Sequence, residues 1–201
     1  MNNGDSYLES LLSNRKIVRS YKKVNFDKKT LNKIASYTIK IPTAGFSRGI
    51  EIIQVFNENT IKDISNLFNE RKYTEQGKDP WISHSVALFF IILNENAYHK
   101  RYSEDDKAKA INSNDWDVPY WFVDAVAAMM NCMLLLEEQE LSSGFMGLHN
   151  TNRKSVHNLL DIPEDYLIMG MITAGVENEV NPKSTSKLQK KKLIHNEKFS
   201  K

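Results

Sequence analysis

Two near-continuous apolar runs limit what this chain can fold into. SVALFFIILN (Ser85–Asn94) and YLIMGMITAGV (Tyr166–Val176) carry almost no polar residue, and the first is rich in β-branched and aromatic side chains. Such runs read as strands buried on both faces. A strand with no polar face needs cover on both sides, so the sheet they belong to is expected to lie between helices.

The segments around them supply those helices. DSYLESLLSNR places Leu8, Leu11 and Leu12 on one face, with Asp5 or Ser6 as cap. After Asp27, Leu31, Ile34, Ala35 and Thr38 recur at i, i+3, i+4 and i+7, and the helix is expected to end before Pro42. IEIIQVF then alternates as a strand, and Glu58 to Lys72 reads as a helix carrying Ile61, Ile64, Leu67 and Phe68. AYHKRYSEDDKAKAINSND is strongly charged and reads as exposed helix or loop. Val118–Glu140 is the longest predicted helix and is apolar almost all round, so it is buried centrally or at an interface. A homodimer sharing this helix would account for its composition. LSSGFMGL reads as a short strand into a turn, and NRKSVHNLLDIP as a helix stopped near Pro163.

With 201 residues, 41% hydrophobic and 26% charged, the chain has material for one globular domain. No uninterrupted apolar run approaches the roughly 18–20 residues that span a bilayer. The N-terminus lacks a basic-then-apolar signal pattern, and the single cysteine, Cys132, excludes an intrachain disulfide, so a cytoplasmic location is expected. The net charge of +2 divides unevenly: Lys183 to Lys201 holds seven lysines and one glutamate, about +6, leaving about −4 for the body. The basic tail is a solvated extension, or else a phosphate-binding strand or an arm around a partner.

Common catalytic machinery is missing. There is no GxSxG elbow, Walker A loop, HExxH or GxGxxG after a strand. The five histidines, His84, His99, His149, His157 and His195, show no metal-ligand spacing with cysteine, so no metal is expected. Cys132 sits among Met129, Met130, Met133 and Leu134 as a core residue. An enzyme of this composition would leave the chemistry to a bound cofactor. IPTAGFSRGIEIIQVF (Ile41–Phe56) bears on that: a turn of small residues with a cation runs into a strand. It is either an ordinary helix-to-strand loop or a cradle that lets backbone approach a flat or phosphorylated ligand.

Four separated segments together resemble one family, the FMN-dependent nitroreductases. NRKIVRSYKK (Asn14–Lys23) is similar to the family's basic RRSxRxF opening, and IPTAGFSRGIEIIQVF to its PSAxNSQPWxFxVV. VPYWFVDAVAAMMNCMLLLEEQELSSGFMGL is similar to its long dimer-core helix with an aspartate near the start and a glycine-containing turn after it. DIPEDYLIMGMITAGVENE is similar to its closing strand. The four stand in the family's order and at its separations.

The resemblance implies an α+β fold with a central mixed sheet sandwiched by helices, the long central helix at a homodimer interface, and one FMN per shared active site. Residues 1–182 would form the FMN-binding domain and 183–201 a basic C-terminal extension. It places Arg15, Lys16 and Arg19 at the phosphate and ribityl chain, with Lys183 and Lys187 as a second basic pair. Pro42, Thr43, Ala44, Gly45 and Ser47 would line the flavin, often from the partner protomer. Met146 and Gly147 would stand near the flavin N5. Asn69 and Arg71 either reach the ring's polar edge or form a plain polar helix end. In DVPYWFVD (Asp117–Asp124), Tyr120, Trp121 and Phe122 either form a lid over a planar substrate or pack the dimer core. The chain departs from the pattern at Ile17, at Phe46 and Arg48, where Asn and Gln are usual, and at Gly49-Ile50 in place of Pro-Trp. Arg48 thereby adds a cation near the ring, tuning the flavin or meeting an anionic substrate.

The implied activity is ping-pong hydride transfer from NAD(P)H through FMN to an organic acceptor such as a nitroaromatic or quinone, with no protein nucleophile. No nucleic acid or membrane partner is implied. Two other readings stay open: a flavin-binding protein without turnover, and a basic-tailed binding module that lacks flavin.

Overall fold

The computed structural model describes residues 6–107, 112–148, 150–178 and 194–198. The chain opens with α1 (Tyr7–Asn14), whose N-cap Ser6 and Glu9 form a reciprocal capping box. β1 (Tyr21–Lys22) is a two-residue strand with no sequence signal of its own. α2 (Lys28–Thr38) starts where the Asp27 carboxylate accepts the N–H groups of Lys29 and Thr30, and it buries Leu31, Ile34, Ala35 and Thr38, the residues at helical spacing. It ends at Thr38, four residues short of Pro42.

β2 (Ile50–Val55) leads to α3 (Glu58–Leu67), capped by Asn57. The expected helix from Glu58 to Lys72 is divided: Asn69 takes a left-handed φ of 53°, and a separate short α4 (Glu70–Thr74) follows. Asparagine tolerates that conformation better than most residues with a Cβ. β3 (Ala87–Leu93) is buried at every position. The charged segment after it forms α5 (Glu95–Tyr102), capped by Asn94, with Tyr98 fully buried. α6 (Tyr120–Glu138), β4 (Ser142–Met146), α7 (Asn150–Leu159) and β5 (Leu167–Glu177) complete the order.

The five strands form one sheet ordered β1-β5-β3-β2, with β4 also on β5. Every ladder is antiparallel, and the parallel part of the sheet is a single bridge between Ile17 and Ser143. Ile50 stands opposite Leu93, and Ala87 opposite Ala174. Alternation along β3 explains its two buried faces. Ala87, Phe89, Ile91 and Leu93 enter a core with Leu31 and Ile34 of α2 and Ala125, Ala128, Cys132 and Leu136 of α6. Leu88, Phe90 and Ile92 enter a second core with Ile61 and Ile64 of α3 and Val156 of α7. The fold is therefore α+β, helix on sheet on helix, as the two apolar runs require.

By length and composition α6 is, among the described residues, apolar enough to cross a bilayer, with a mean hydropathy of 1.3. A core helix meets the same test, and α6 packs one face on α2 and the sheet. Its other face leaves Tyr120, Phe122, Val123 and Val126 38–49% exposed.

Candidate functional site

The basic segment after α1 lies along β4. Besides the bridge at Ile17, the Val18 N–H donates to the Ser143 carbonyl at 2.8 Å. This docking carries Arg19 to the end of β4, where its guanidinium donates to the Phe145 carbonyl at 3.5 Å and lies 5.4 Å over the Trp81 ring. Met146 and Gly147 follow directly, and a side chain at Gly147 would meet no atom within 4 Å, so β4 ends on open space. Lys16 pairs with Glu177 at 2.7 Å. The Arg15 Nε is buried and has no hydrogen-bond partner among the described residues. A buried guanidinium N–H without an acceptor is costly, and an anionic ligand would satisfy it.

Asn69 marks the break between α3 and α4 and turns Glu70 inward. The Glu70 carboxylate accepts three consecutive backbone N–H groups, from Trp81 at 2.7 Å, Ile82 at 2.6 Å and Ser83 at 3.0 Å. This buried anchor holds the loop that carries Trp81 beneath Arg19. Sequence reasoning missed it, because a glutamate in a polar helix end reads as solvated. Arg71 lies on the solvent side, paired with Glu75 at 2.8 Å.

The turn between α2 and β2 is held from several directions. The Asp124 carboxylate accepts the Ala44 N–H at 2.9 Å and the Tyr98 hydroxyl at 2.8 Å. Arg101 donates from Nε to the Gly45 carbonyl at 2.9 Å, while its terminal nitrogens grip Asp106 at 2.6 and 2.7 Å and Glu104 at 2.9 Å. Burial and the Asp124 contact push the Tyr98 hydroxyl above the usual tyrosine range, keeping it a donor. The Asp106 contact raises Arg101 further, and the same pairing with Arg101 lowers Asp106. Gly45 has φ 60°, and a Cβ there would stand 2.5 Å from the Tyr102 ring. Within the turn, Thr43 Oγ1 accepts the Arg48 N–H at 3.2 Å, and the Ser47 hydroxyl donates to the Ala44 carbonyl. Pro42 is exposed just before it.

Tyr98, Arg101 and Tyr102 thus present one face of α5 to the turn, and just before the helix the Asn94 backbone N–H donates to the Gly49 carbonyl at 2.8 Å. Their i, i+3, i+4 spacing was present in the charged stretch, but it joins polar and aromatic residues, and hydrophobic periodicity does not detect it. Trp116 is a further residue without a sequence signal. Its ring meets Tyr102 at 4.7 Å, Tyr120 at 5.1 Å and Trp121 at 5.9 Å between centroids. Trp121 is 8% exposed and lies in the core, whereas Tyr120 is 44% and Phe122 38% exposed.

One chain does not bring these two groups together. Arg15–Arg19, Met146 and Gly147 stand at the β4 edge of the sheet, and Pro42–Arg48 enters β2 at the opposite edge. β5 and β3 lie between them, a lateral separation of about 14 Å at ordinary strand spacing. The donor set fits FMN in both halves: the half-buried Arg15, whose Nε is buried without an acceptor, for the phosphate, and a small-residue turn for the ring. A cleft of about 440 Å³ near β1 and α2 shares none of these residues, and its lysines are engaged, Lys23 with the Ser83 carbonyl and Lys28 over the Phe56 ring.

Lys183, Lys187 and His149 lie outside the described residues. Among the described residues no cluster of metal-ligating side chains occurs. Burial pushes the Cys132 thiol up to about 12, which suits packing and not nucleophilic attack.

The family model of the nitroreductase family matches residues 12–176. Among solved structures, a nitroreductase-like protein from Streptococcus mutans is similar at 17% identity and a TM-score of 0.70, over 94% of this chain and 98% of that one. An FMN-dependent nitroreductase from Clostridium difficile is similar at 20% identity and a TM-score of 0.67, over 94% and 98%. The NADPH:FMN oxidoreductase of Vibrio harveyi, solved with NAD+, is similar at 14% identity and a TM-score of 0.67, over 96% and 77%. At these identities the likeness is one of fold. No curated protein sequence matches the chain.

Proposed function

The chain belongs to the nitroreductase family, and from that premise we propose that it is an FMN-dependent oxidoreductase working as a homodimer with shared active sites. The observation that carries this reading is the separation of two complementary half-sites on opposite edges of one sheet. A second copy, packed through the exposed apolar face of α6, would bring its Pro42–Arg48 turn to the Arg15–Arg19 segment of the first. The resemblance of the solved FMN-dependent nitroreductase supports the same cofactor.

In this reading Arg15, Lys16 and Arg19 hold the phosphate and ribityl chain, with Lys183 and Lys187 as further cations. Lys16 would exchange its pairing with Glu177 for the ligand. Thr43, Ala44, Gly45 and Ser47 shape the turn against the ring, with Pro42 leading into it. Asn69 faces the ring's polar edge. Met146 and Gly147 close the N5 side, where a backbone N–H is the natural donor to the lone pair of the oxidised nitrogen that accepts hydride. Arg48 and Tyr120 face the substrate side, and Trp121 backs Tyr120 through Trp116. Bound FMN supplies hydride acceptance from NAD(P)H and delivery to an organic acceptor, nitroaromatic or quinone, in ping-pong order. No side chain need act as nucleophile. The location is proposed as cytoplasmic, and residues 1–182 as the cofactor-binding unit with 183–201 as its extension.

The test is the visible spectrum of the purified chain before and after FMN addition and desalting. Retained flavin bands at about one FMN per chain, bleached anaerobically by NADH or NADPH, are the expected result. A colourless protein that retains no FMN sinks the reading.

A further inference from the structure

The turn between α2 and β2 concentrates left-handed backbone: Gly45, Phe46 and Arg48 have φ of 60°, 64° and 54°. For residues with a Cβ this conformation is unfavourable, and it persists only where the surroundings over-determine it. They do so here. Asp124 holds the Ala44 N–H, Arg101 the Gly45 carbonyl and Thr43 the Arg48 N–H, while the Tyr102 ring closes off the space beside Gly45.

That enforced geometry delivers one pair of side chains to solvent. Phe46 is 67% exposed, an unusual place for a phenyl ring, and the Arg48 guanidinium lies 4.4 Å from its centroid. Arg101 and Arg71 are spent on carboxylates, but among the described residues no carboxylate pairs with Arg48. No second cation stands in Pro42–Gly49. Both residues are also departures from the family pattern that this segment resembles.

We propose that Phe46 and Arg48 select, at the shared site, acceptors whose planar aromatic ring carries one carboxylate beside the nitro or quinone group that takes the hydride, an inference that rests on the flavin oxidoreductase reading. The outer face of Phe46 offers a stacking surface. The guanidinium is a planar fork that matches a carboxylate with two parallel N–H···O bonds. A single fork suits one carboxylate, whereas a phosphate dianion calls for more donors. A neutral isostere keeps the stacking and loses the charge-assisted pair.

Calorimetric titration of the oxidised holo-protein with benzoate and its neutral isostere benzamide tests this without turnover. The wild type is expected to bind benzoate about tenfold more tightly than benzamide. Arg48→Gln is expected to bring that ratio to about one, and Arg48→Lys, which keeps the charge without the fork, to an intermediate value. Phe46→Leu is expected to weaken both ligands by similar factors; leaving both unchanged removes the ring from the proposal. FMN content and melting temperature are measured for each variant. A ratio near one in the wild type, or an unmoved ratio in a flavin-loaded Arg48→Gln, overturns the inference and leaves the flavin reading standing. A protein that holds no FMN overturns both.

Discussion

The Asp124 carboxylate, one turn inside the long helix α6, accepts the backbone N–H of Ala44 from 80 residues earlier in the chain, at 2.9 Å. The same oxygen accepts the hydroxyl of the fully buried Tyr98. One acid therefore ties α6, α5 and the α2–β2 turn together. Asp124→Ala strands a buried hydroxyl, at a cost of about 1–3 kcal/mol, together with a half-buried N–H, and frees the turn. Urea denaturation is expected to show the loss, with FMN affinity falling alongside it. Asp124→Asn keeps one acceptor oxygen and is expected to lose less. Equal stability of Asp124→Ala and wild type would refute this role.

Glu70 is expected to be more sensitive than its place in a polar helix suggests. Its carboxylate serves three backbone N–H groups at once. Glu70→Gln retains one acceptor oxygen and is expected to destabilise by about 1–3 kcal/mol. Hydrogen exchange at Trp81, Ile82 and Ser83 should rise in the variant, and unchanged protection there would contradict the anchor.

Cys132 is fully buried, and its thiol is pushed up to about 12. At pH 8 the native protein is expected to resist a thiol reagent for hours and to take up one label per chain once denatured. Rapid labelling of the folded chain would show the core around α6 to be open.

Asp27 gives a pH signature with a definite sign. The hydrogen bonds it accepts from Thr30 and Lys29 hold its carboxyl below the usual carboxylate range. A carboxyl lowered on folding stabilises above its unfolded pKa, and that contribution fades as pH falls through the folded value. Asp27→Ala should therefore be less stable than wild type near neutrality, with a lower urea midpoint. The gap to wild type, read from urea midpoints, is expected to narrow below about pH 4. A gap that is constant down to pH 2 would rule this out.

The exposed side of α6 offers the test of assembly. Val123 and Val126 are 49% and 43% exposed on an otherwise apolar helix. Val126→Asp is expected to convert the proposed dimer to monomer in light scattering and to remove FMN binding with it. A variant that stays dimeric and yellow would place the interface elsewhere.

Hydrophobic pattern read the layers well because burial is a periodic property. Leu31, Ile34, Ala35 and Thr38 are all buried, and both faces of Ala87–Leu93 are covered. The helix break at Asn69 was not legible, since a single left-handed residue leaves the apolar period of Ile61, Ile64 and Leu67 intact. Nor was the use of α5. Its Arg101 turns inward to hydrogen-bond a backbone turn, and composition reports charge without reporting direction.

What the sequence by itself determined is the core: two apolar runs and amphipathic helices bury their surface in only a few ways, whatever the detailed contacts. Its four ordered segments also carried the family resemblance and with it the candidate residues. Only the tertiary structure decided that Asp124 and Arg101 hold the Ala44–Gly45 peptide, that the Arg15 Nε is left without an acceptor among the described residues, and that the two groups of candidate residues lie on opposite sheet edges. The physical reason is range and direction. Apolar burial is non-directional and follows from local composition, whereas a hydrogen bond between residues 80 positions apart depends on where the whole chain places a donor and an acceptor.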